Sequence, residues 1–299
     1  MMEFFPNYNT ALHLDPGEWA LAREAEGYDG VVASDHLWVG DKPFPHVWVT
    51  LTRMACATRS LKLGSSFCNN LFRSPVEFAQ ASLALHQLAP GRFEAGLGAG
   101  WAEPEIVGIG WDYPAPRDRA GRFIEALSVV RQIFAEGSCR FRGEYYDIDV
   151  PVLGPFDGSA PVLVGSAGGP RTRREIAPLV DRIEVFVGNF IRGGSIDLPT
   201  LARVSDADVQ ALVADIRGRA PDLPIGYFTL AAAGEGAHVS QLKAGLGKRF
   251  AAGLVGHPQE VAENLRRMGE WGISRVQITE LIPGTHTALA PYLQRCRAI

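Results

Sequence analysis

Short apolar runs alternate along most of this chain with segments whose apolar positions recur every three or four residues. The alternation is clearest between Leu61 and Trp101. Leu61 to Phe67 is an apolar run passing through Gly64 into the small polar pair Ser65-Ser66. After Arg73-Ser74-Pro75, the stretch to Leu88 carries Val76, Ala79 and Leu83 on one helical face. Pro90-Gly91 then breaks the chain, and Arg92 to Gly98 forms a second apolar run that enters Ala99-Gly100-Trp101. This is strand, helix, strand. Strands joined by a crossover helix run parallel, so both ends rich in Gly and Ser open on one rim.

The same reading extends to the rest of the chain. Glu3 to Asn7 is a first strand, and Asp15-Pro16 starts a helix with an N-cap candidate ahead of proline in the first turn, closing at Gly27. Gly30 to Ser34 is a β-branched second strand that delivers Asp35-His36-Leu37-Trp38 to the loop after it. Residues 38 to 46, with Gly40, Pro43 and Pro45, predict a loop over the mouth, followed by a helix from Val47 to Thr58. Trp101 to Pro116 reads as a long loop, Arg117 to Glu136 as a helix stopped by Gly137, and Phe141 to Ile148 as an excursion turning at Gly143. Further strands fall at Pro161 to Val164, Ile183 to Val187, Pro224 to Leu230 and Ser274 to Thr279. His257-Pro258 opens a helix bearing Val261, Leu265 and Met268 on one face and closing at Gly272. Eight strands are counted, with residues 188 to 205 resisting assignment. Sequence repeats of about 20 to 50 residues, the mark of a solenoid, are absent. The expected fold is therefore α/β, a (β/α)₈ TIM barrel with loop insertions at the C-terminal rim, in one domain spanning 1–299.

Composition narrows the possible partners. A chain of 299 residues, 46% of them hydrophobic, can bury one large core. Its 29 basic and 33 acidic residues give a net charge of −4 without long blocks of either sign. That argues against nucleic acid or an anionic membrane and for a small-molecule substrate. No apolar run reaches the about 18 residues of a spanning helix. Cys56, Cys68, Cys139 and Cys296 are far apart and lack Cys-x-x-Cys spacing. With no signal peptide recognised, the expectation is a cytoplasmic protein with reduced thiols and neither a disulfide frame nor a metal site.

Three constellations carry candidate chemistry. Asp35-His36 on a rim loop is a site for proton transfer, because imidazole titrates near neutrality and a neighbouring carboxylate can fix loop or ring; the alternative is a hydrogen-bonded loop histidine. Gly165-Ser166-Ala167-Gly168-Gly169-Pro170-Arg171, between strand and helix, has the makings of an anion cradle, or is a plain turn. Gly96 to Trp101 lets backbone approach a planar ring, with Trp101 as a wall, or else marks a tightly packed barrel corner. Glu103 and Glu105 follow on what reads as an irregular loop. Glu103 is the acid candidate there, although an exposed carboxylate is the common outcome.

Leu-Gly-Ser-Ser at 63–66, Arg-Ser-Pro at 73–75, Pro-Gly-Arg-Phe at 90–93, Gly-Leu-Gly-Ala-Gly-Trp at 96–101 and Ser34-Asp35-His36 together resemble the luciferase-like monooxygenase superfamily. The resemblance is dense from Ala22 to Arg122 and returns at Pro161 to Pro170 and at Gly256 to Gln277. It implies a barrel that uses reduced flavin or the deazaflavin coenzyme F420, and a homodimer. By resemblance, His36 lies beside the reactive ring carbon. Asp35, Ser65, Ser66, Phe67, Gly98, Ala99, Gly100 and Trp101 surround the ring, and Gly165 to Arg171 hold the phosphate side. Gly168-Gly169-Pro170 matches the deazaflavin users, and the peptide between Ser66 and Phe67 is expected to be cis. Two departures are plain. Gly40 stands where sugar-phosphate dehydrogenases of the superfamily carry Trp, and Trp101 stands where they carry an acidic Glu, which disfavours sugar-phosphate oxidation.

The resulting expectation is an oxidoreductase exchanging hydride between F420 and a small, largely apolar organic substrate. An FMN-dependent monooxygenase is the alternative, and a non-catalytic flavin-binding protein the third reading.

Overall fold

The computed structural model describes residues 2–187, 191–192, 195–247 and 250–295. Eight strands form its centre: β1 Glu3–Tyr8, β2 Gly30–Ala33, β3 Lys62–Ser65, β4 Phe93–Gly98, β5 Val162–Ala167, β6 Arg182–Val185, β7 Ile225–Ala233 and β8 Arg275–Glu280. Each pairs in parallel with the next. β8 returns to β1 through Phe4↔Val276 and Pro6↔Ile278, so the sheet closes. All eight expected strands are present, and the (β/α)₈ expectation holds.

Helix starts follow local chemistry. Asp15 accepts from the Glu18 amide at 2.9 Å ahead of helix Pro16–Ala25, and Ser74 caps Pro75–Leu88 through the Val76 amide. Gly137, at φ +72°, ends the long helix Pro116–Glu136; a side chain there would meet the Gly154 carbonyl. Between helices and strands lies a core that includes Phe78, Leu83, Phe123, Leu127, Val130 and Ile133.

The barrel interior is partly ionic. Arg275 is fully buried between Glu94 and Glu184, 3.0 Å from the latter, with its guanidinium over the Phe5 ring. Burial pushes Glu184 up despite Arg275. Burial also acts on Glu94, but Arg275 and Arg182 beside it outweigh that and hold it low. Gly226 leaves the room for Glu184, whose carboxylate lies 1.9 Å from where a Cβ would stand.

Four expectations need correction. The loop from Trp101 to Pro116 contains a helix, Glu103–Gly108. Pro104 stands in its first turn, where a missing N–H costs nothing. Residues 38 to 46 begin with a hairpin, Trp38–Val39 against Lys42–Pro43, turning at Gly40 with φ +63°. β5 runs three residues beyond Val164, so Gly165 to Ala167 belong to the strand and pair with Ile183 to Val185. Beyond residue 205, helix Ala237–Leu246 and the short strand Val255–Gly256, paired to β7, were not anticipated; they surround a second apolar cluster with Leu201, Leu230 and Val239. Of the unassigned stretch, 188–190 and 193–194 lie outside the described residues, as does Cys296.

Candidate active site

The C-terminal ends of the strands surround a cavity of about 230 Å³. Ser34, Asp35 and His36 follow β2; Ser66, Phe67, Cys68 and Asn69 follow β3. Gly98 to Trp101 continue β4, and Ser166 and Gly168, Phe186, and Phe228 come from β5, β6 and β7. The peptide between Ser66 and Phe67 is cis, as expected.

Of the titratable side chains in this wall, Asp35 is paired with Arg73, whereas His36 faces a carboxylate. Its Nδ1 lies 2.6 Å from Oε1 of Glu105, and the other carboxylate oxygen accepts the Leu37 amide, also at 2.6 Å. With a carboxylate at Nδ1, the proton of the neutral ring sits there and the Nε2 lone pair remains free to accept. Two rings meet the imidazole edge-on, Trp101 at 5.2 Å and Phe44 at 5.4 Å. Glu105 is only 2% exposed. Glu103, the expected acid, is exposed on the first turn of the same helix and outside the cavity. The two carboxylates lie two residues apart on a helix, so they point to different sides. The available signal was Ala102 and Ile106 at helical spacing, both buried, which turns Glu105 inward beside them.

Asp35 is a clamp. It receives Arg73 through both oxygens and the Asn69 amide at 2.8 Å, tying the loop after β2 to the one after β3. Ser65 does not reach the cavity, because its hydroxyl bridges the carbonyl and amide of Gly96 at 2.8 and 2.9 Å. The glycines of β4 serve this same corner. A Cβ on Gly96 would stand 2.0 Å from the Ser65 carbonyl, and one on Gly98 3.1 Å from Phe67. They admit the Ser65 carbonyl and the Phe67 side chain from the neighbouring strand, while Ala99, Gly100 and Trp101 line the cavity.

Alternation along β5 divides the expected anion cradle. Ser166 faces the cavity; Gly165 faces outward, where a Cβ would meet Ile176 and Val180, and Ala167 is buried outside the lining. Gly168 lines the cavity, but Gly169, Pro170 and Arg171 lie beyond it. Arg171 and Arg174 share Glu175, and Arg173 bonds Asp215 and the Gly168 carbonyl. Trp38 packs on Gly108, leaving no room there for a Cβ. Burial pushes the Cys68 thiol far up, so it is no nucleophile. Ser34 of the Ser34-Asp35-His36 motif and Asn69, Phe186 and Phe228, the last three not singled out in the sequence, complete the lining.

These features define a barrel whose rim cavity joins a carboxylate-held histidine to apolar walls. The chain belongs to the luciferase-like monooxygenase family, whose profile matches residues 15–189. Over 160 residues it is 36% identical to an F420-dependent glucose-6-phosphate dehydrogenase of Kineococcus radiotolerans, covering 51% of this chain and 46% of that protein. The Mycobacterium tuberculosis protein of the same description is 35% identical over 166 residues, 51% and 47% of the two chains. The chain thus spans about half the length of these relatives. Among solved structures, an F420-dependent secondary alcohol dehydrogenase with an F420–acetone adduct superposes with a TM-score of 0.76 at 17% identity, covering 98% and 99% of the chains. A monooxygenase from Streptomyces bottropensis gives 0.75 at 17% identity, covering 99% and 100%. At such identities these structures support the fold alone.

Proposed function

We propose that this chain is an oxidoreductase exchanging hydride between coenzyme F420 and a small, uncharged, largely apolar organic substrate, with His36 handling the proton. The observation that carries the reading is the His36–Glu105 pair at the wall of a cavity otherwise lined by aromatic rings, glycine backbone and a few small polar side chains. In the direction of substrate oxidation, Nε2 accepts the hydroxyl proton, and Glu105 compensates the charge the ring gains. In the reverse direction the same atom returns the proton.

The cavity suits a planar tricyclic ring. Phe67, Trp101, Phe186 and Phe228 provide flat apolar surface, while Gly98, Ala99, Gly100 and Gly168 provide close backbone. When bound, the deazaflavin supplies the hydride chemistry. Ser166 and Gly168 would hold its phosphodiester side, with Gly169, Pro170 and Arg171 continuing outward. The relatives described as F420-dependent, about one third identical over half of this chain, support that choice. The substrate reading rests on charge: among the described lining residues there is no Lys or Arg, and Asp35 is already neutralised by Arg73. A sugar phosphate would bring its charge to a wall without a cation. A cytoplasmic homodimer belongs to the same reading, and sedimentation tests its oligomeric part.

Titration of the apoprotein with F420 and with FMN, followed by fluorescence quenching, tests the cofactor. Tighter F420 binding is expected; equal or tighter FMN binding turns the reading to a flavin-dependent monooxygenase. His36→Ala should lower turnover by about 10² to 10⁴, the usual worth of a positioned acid or base, at unchanged cofactor affinity. Near-normal turnover removes His36 from the chemistry.

A further inference from the structure

Trp101 both lines the cavity and touches His36, yet little packing holds it: 39% of its surface is exposed, and it follows Gly100 at φ +80°. Its carbonyl accepts the Glu103 amide at 3.1 Å and, at 3.0 Å, the hydroxyl of Tyr113, twelve residues further on. Tyr113 is seated in turn. The Arg119 guanidinium lies 4.2 Å from its ring centroid, donates to the Pro114 carbonyl at 2.7 Å, and belongs to the first turn of helix Pro116–Glu136. That helix packs its buried face, Phe123, Leu127 and Val130 among it, into the main core. A chain of contacts therefore runs from rigid scaffold through Arg119 and Tyr113 to the one lining ring that is both large and substantially exposed.

We propose that Tyr113 is a positioning residue that sets substrate size: its hydroxyl pins the Trp101 backbone and so fixes how far this wall yields to a bulky neutral ligand. The inference rests on the reading of the cavity as the place where the small neutral substrate meets the cofactor ring, and deepens it. Tyr113 does not touch the cavity itself, so its effect passes through Trp101 alone. A hydrogen bond of this kind has a net worth that corresponds to about fivefold in an equilibrium constant.

Tyr113→Phe removes the hydroxyl and keeps the ring beneath Arg119. In cofactor-free protein labelled with ¹⁵N-tryptophan, the Trp101 indole resonance, assigned with Trp101→Phe, should shift or broaden while the other indoles stay in place. Phenol and 2-naphthol, titrated as compact and bulky neutral probes, should change their affinity ratio by about fivefold in favour of naphthol. Arg119→Ala should move the ratio the same way. F420 affinity should stay within about twofold. An unmoved indole resonance, an unchanged probe ratio, or no binding of either probe to either protein overturns the proposal. A wild-type protein that ignores F420 refutes the cofactor assignment instead, and the probe measurements still decide the role of Tyr113.

Discussion

Glu105→Gln tests whether the carboxylate at the rim holds His36 for proton transfer or merely fills space. The wild-type group makes two bonds at 2.6 Å, one to Nδ1 of His36 and one to the Leu37 amide, in a position from which water is excluded. Glutamine keeps the shape but has one acceptor oxygen, so it cannot accept from both the Leu37 amide and Nδ1–H; its NH2 can only donate to Nδ1, which moves the ring proton to Nε2, and the negative charge opposite the imidazole disappears. A hydrogen bond to a charged group is worth about 1.5 to 3 kcal/mol, which translates into a fall of about 10- to 150-fold in kcat/KM. Because Glu105 touches His36 and not the cavity, the loss should appear mainly in kcat, with the F420 dissociation constant within about twofold of wild type. Steady-state kinetics with F420 and a secondary alcohol, beside a fluorescence titration of the cofactor, separate the two. Glu105→Asp retains the charge at a shorter reach and should recover part of the rate. Activity within twofold of wild type in Glu105→Gln, or a loss carried wholly by cofactor affinity, refutes the argument.

Other expectations follow from neighbouring groups. Asp35→Asn breaks a buried pair with Arg73 and should cost about 3 to 5 kcal/mol in urea unfolding, whereas a loss below about 1 kcal/mol would mark the pair as no better than an exposed one. Gly168→Leu places atoms against the Phe186 ring, 3.1 Å from the Cβ, and overpacking of about 1 to 3 kcal/mol should weaken F420 about 5- to 150-fold. A Cβ at Gly169 meets only Thr172 at 4.0 Å, so Gly169→Ala should leave both affinity and stability unchanged; a large loss there would put the phosphate side closer than Ser166 and Gly168 suggest. Burial depresses the imidazole of His286, fully enclosed and bonded to the Ile278 carbonyl at 3.0 Å, below its ordinary 6.5. The fold therefore favours the neutral form: the contribution to stability is complete above pH 6.5 and is lost as pH falls toward the depressed value. Unfolding free energies measured from pH 8 to 5 should decline on that side, and less so in His286→Asn; parallel curves for the two proteins would contradict this.

What the sequence determined by itself is whatever depends on neighbours along the chain. Alternating strand and helix periods, capping at Asp15 and Ser74, and the stop at Gly137 are local, and each lies where its pattern predicts. They were sufficient for eight strands, a closed barrel, and the placing of His36 on the rim. Only the tertiary structure decided which groups meet there. His36 and Glu105 are 69 residues apart, Asp35 and Arg73 are 38 apart, and no local period records such pairings. Glycines show the same division: a missing side chain is visible in sequence, but what occupies the space is not. At Gly96 it is the carbonyl of Ser65 from the preceding strand, at Gly226 the carboxylate of Glu184, and at Gly108 the ring of Trp38. The phosphate loop shortened for a related reason. Hydrogen bonding to β6 draws Gly165 to Ala167 into a strand, and strand geometry then alternates their faces, so only Ser166 of the three reaches the cavity.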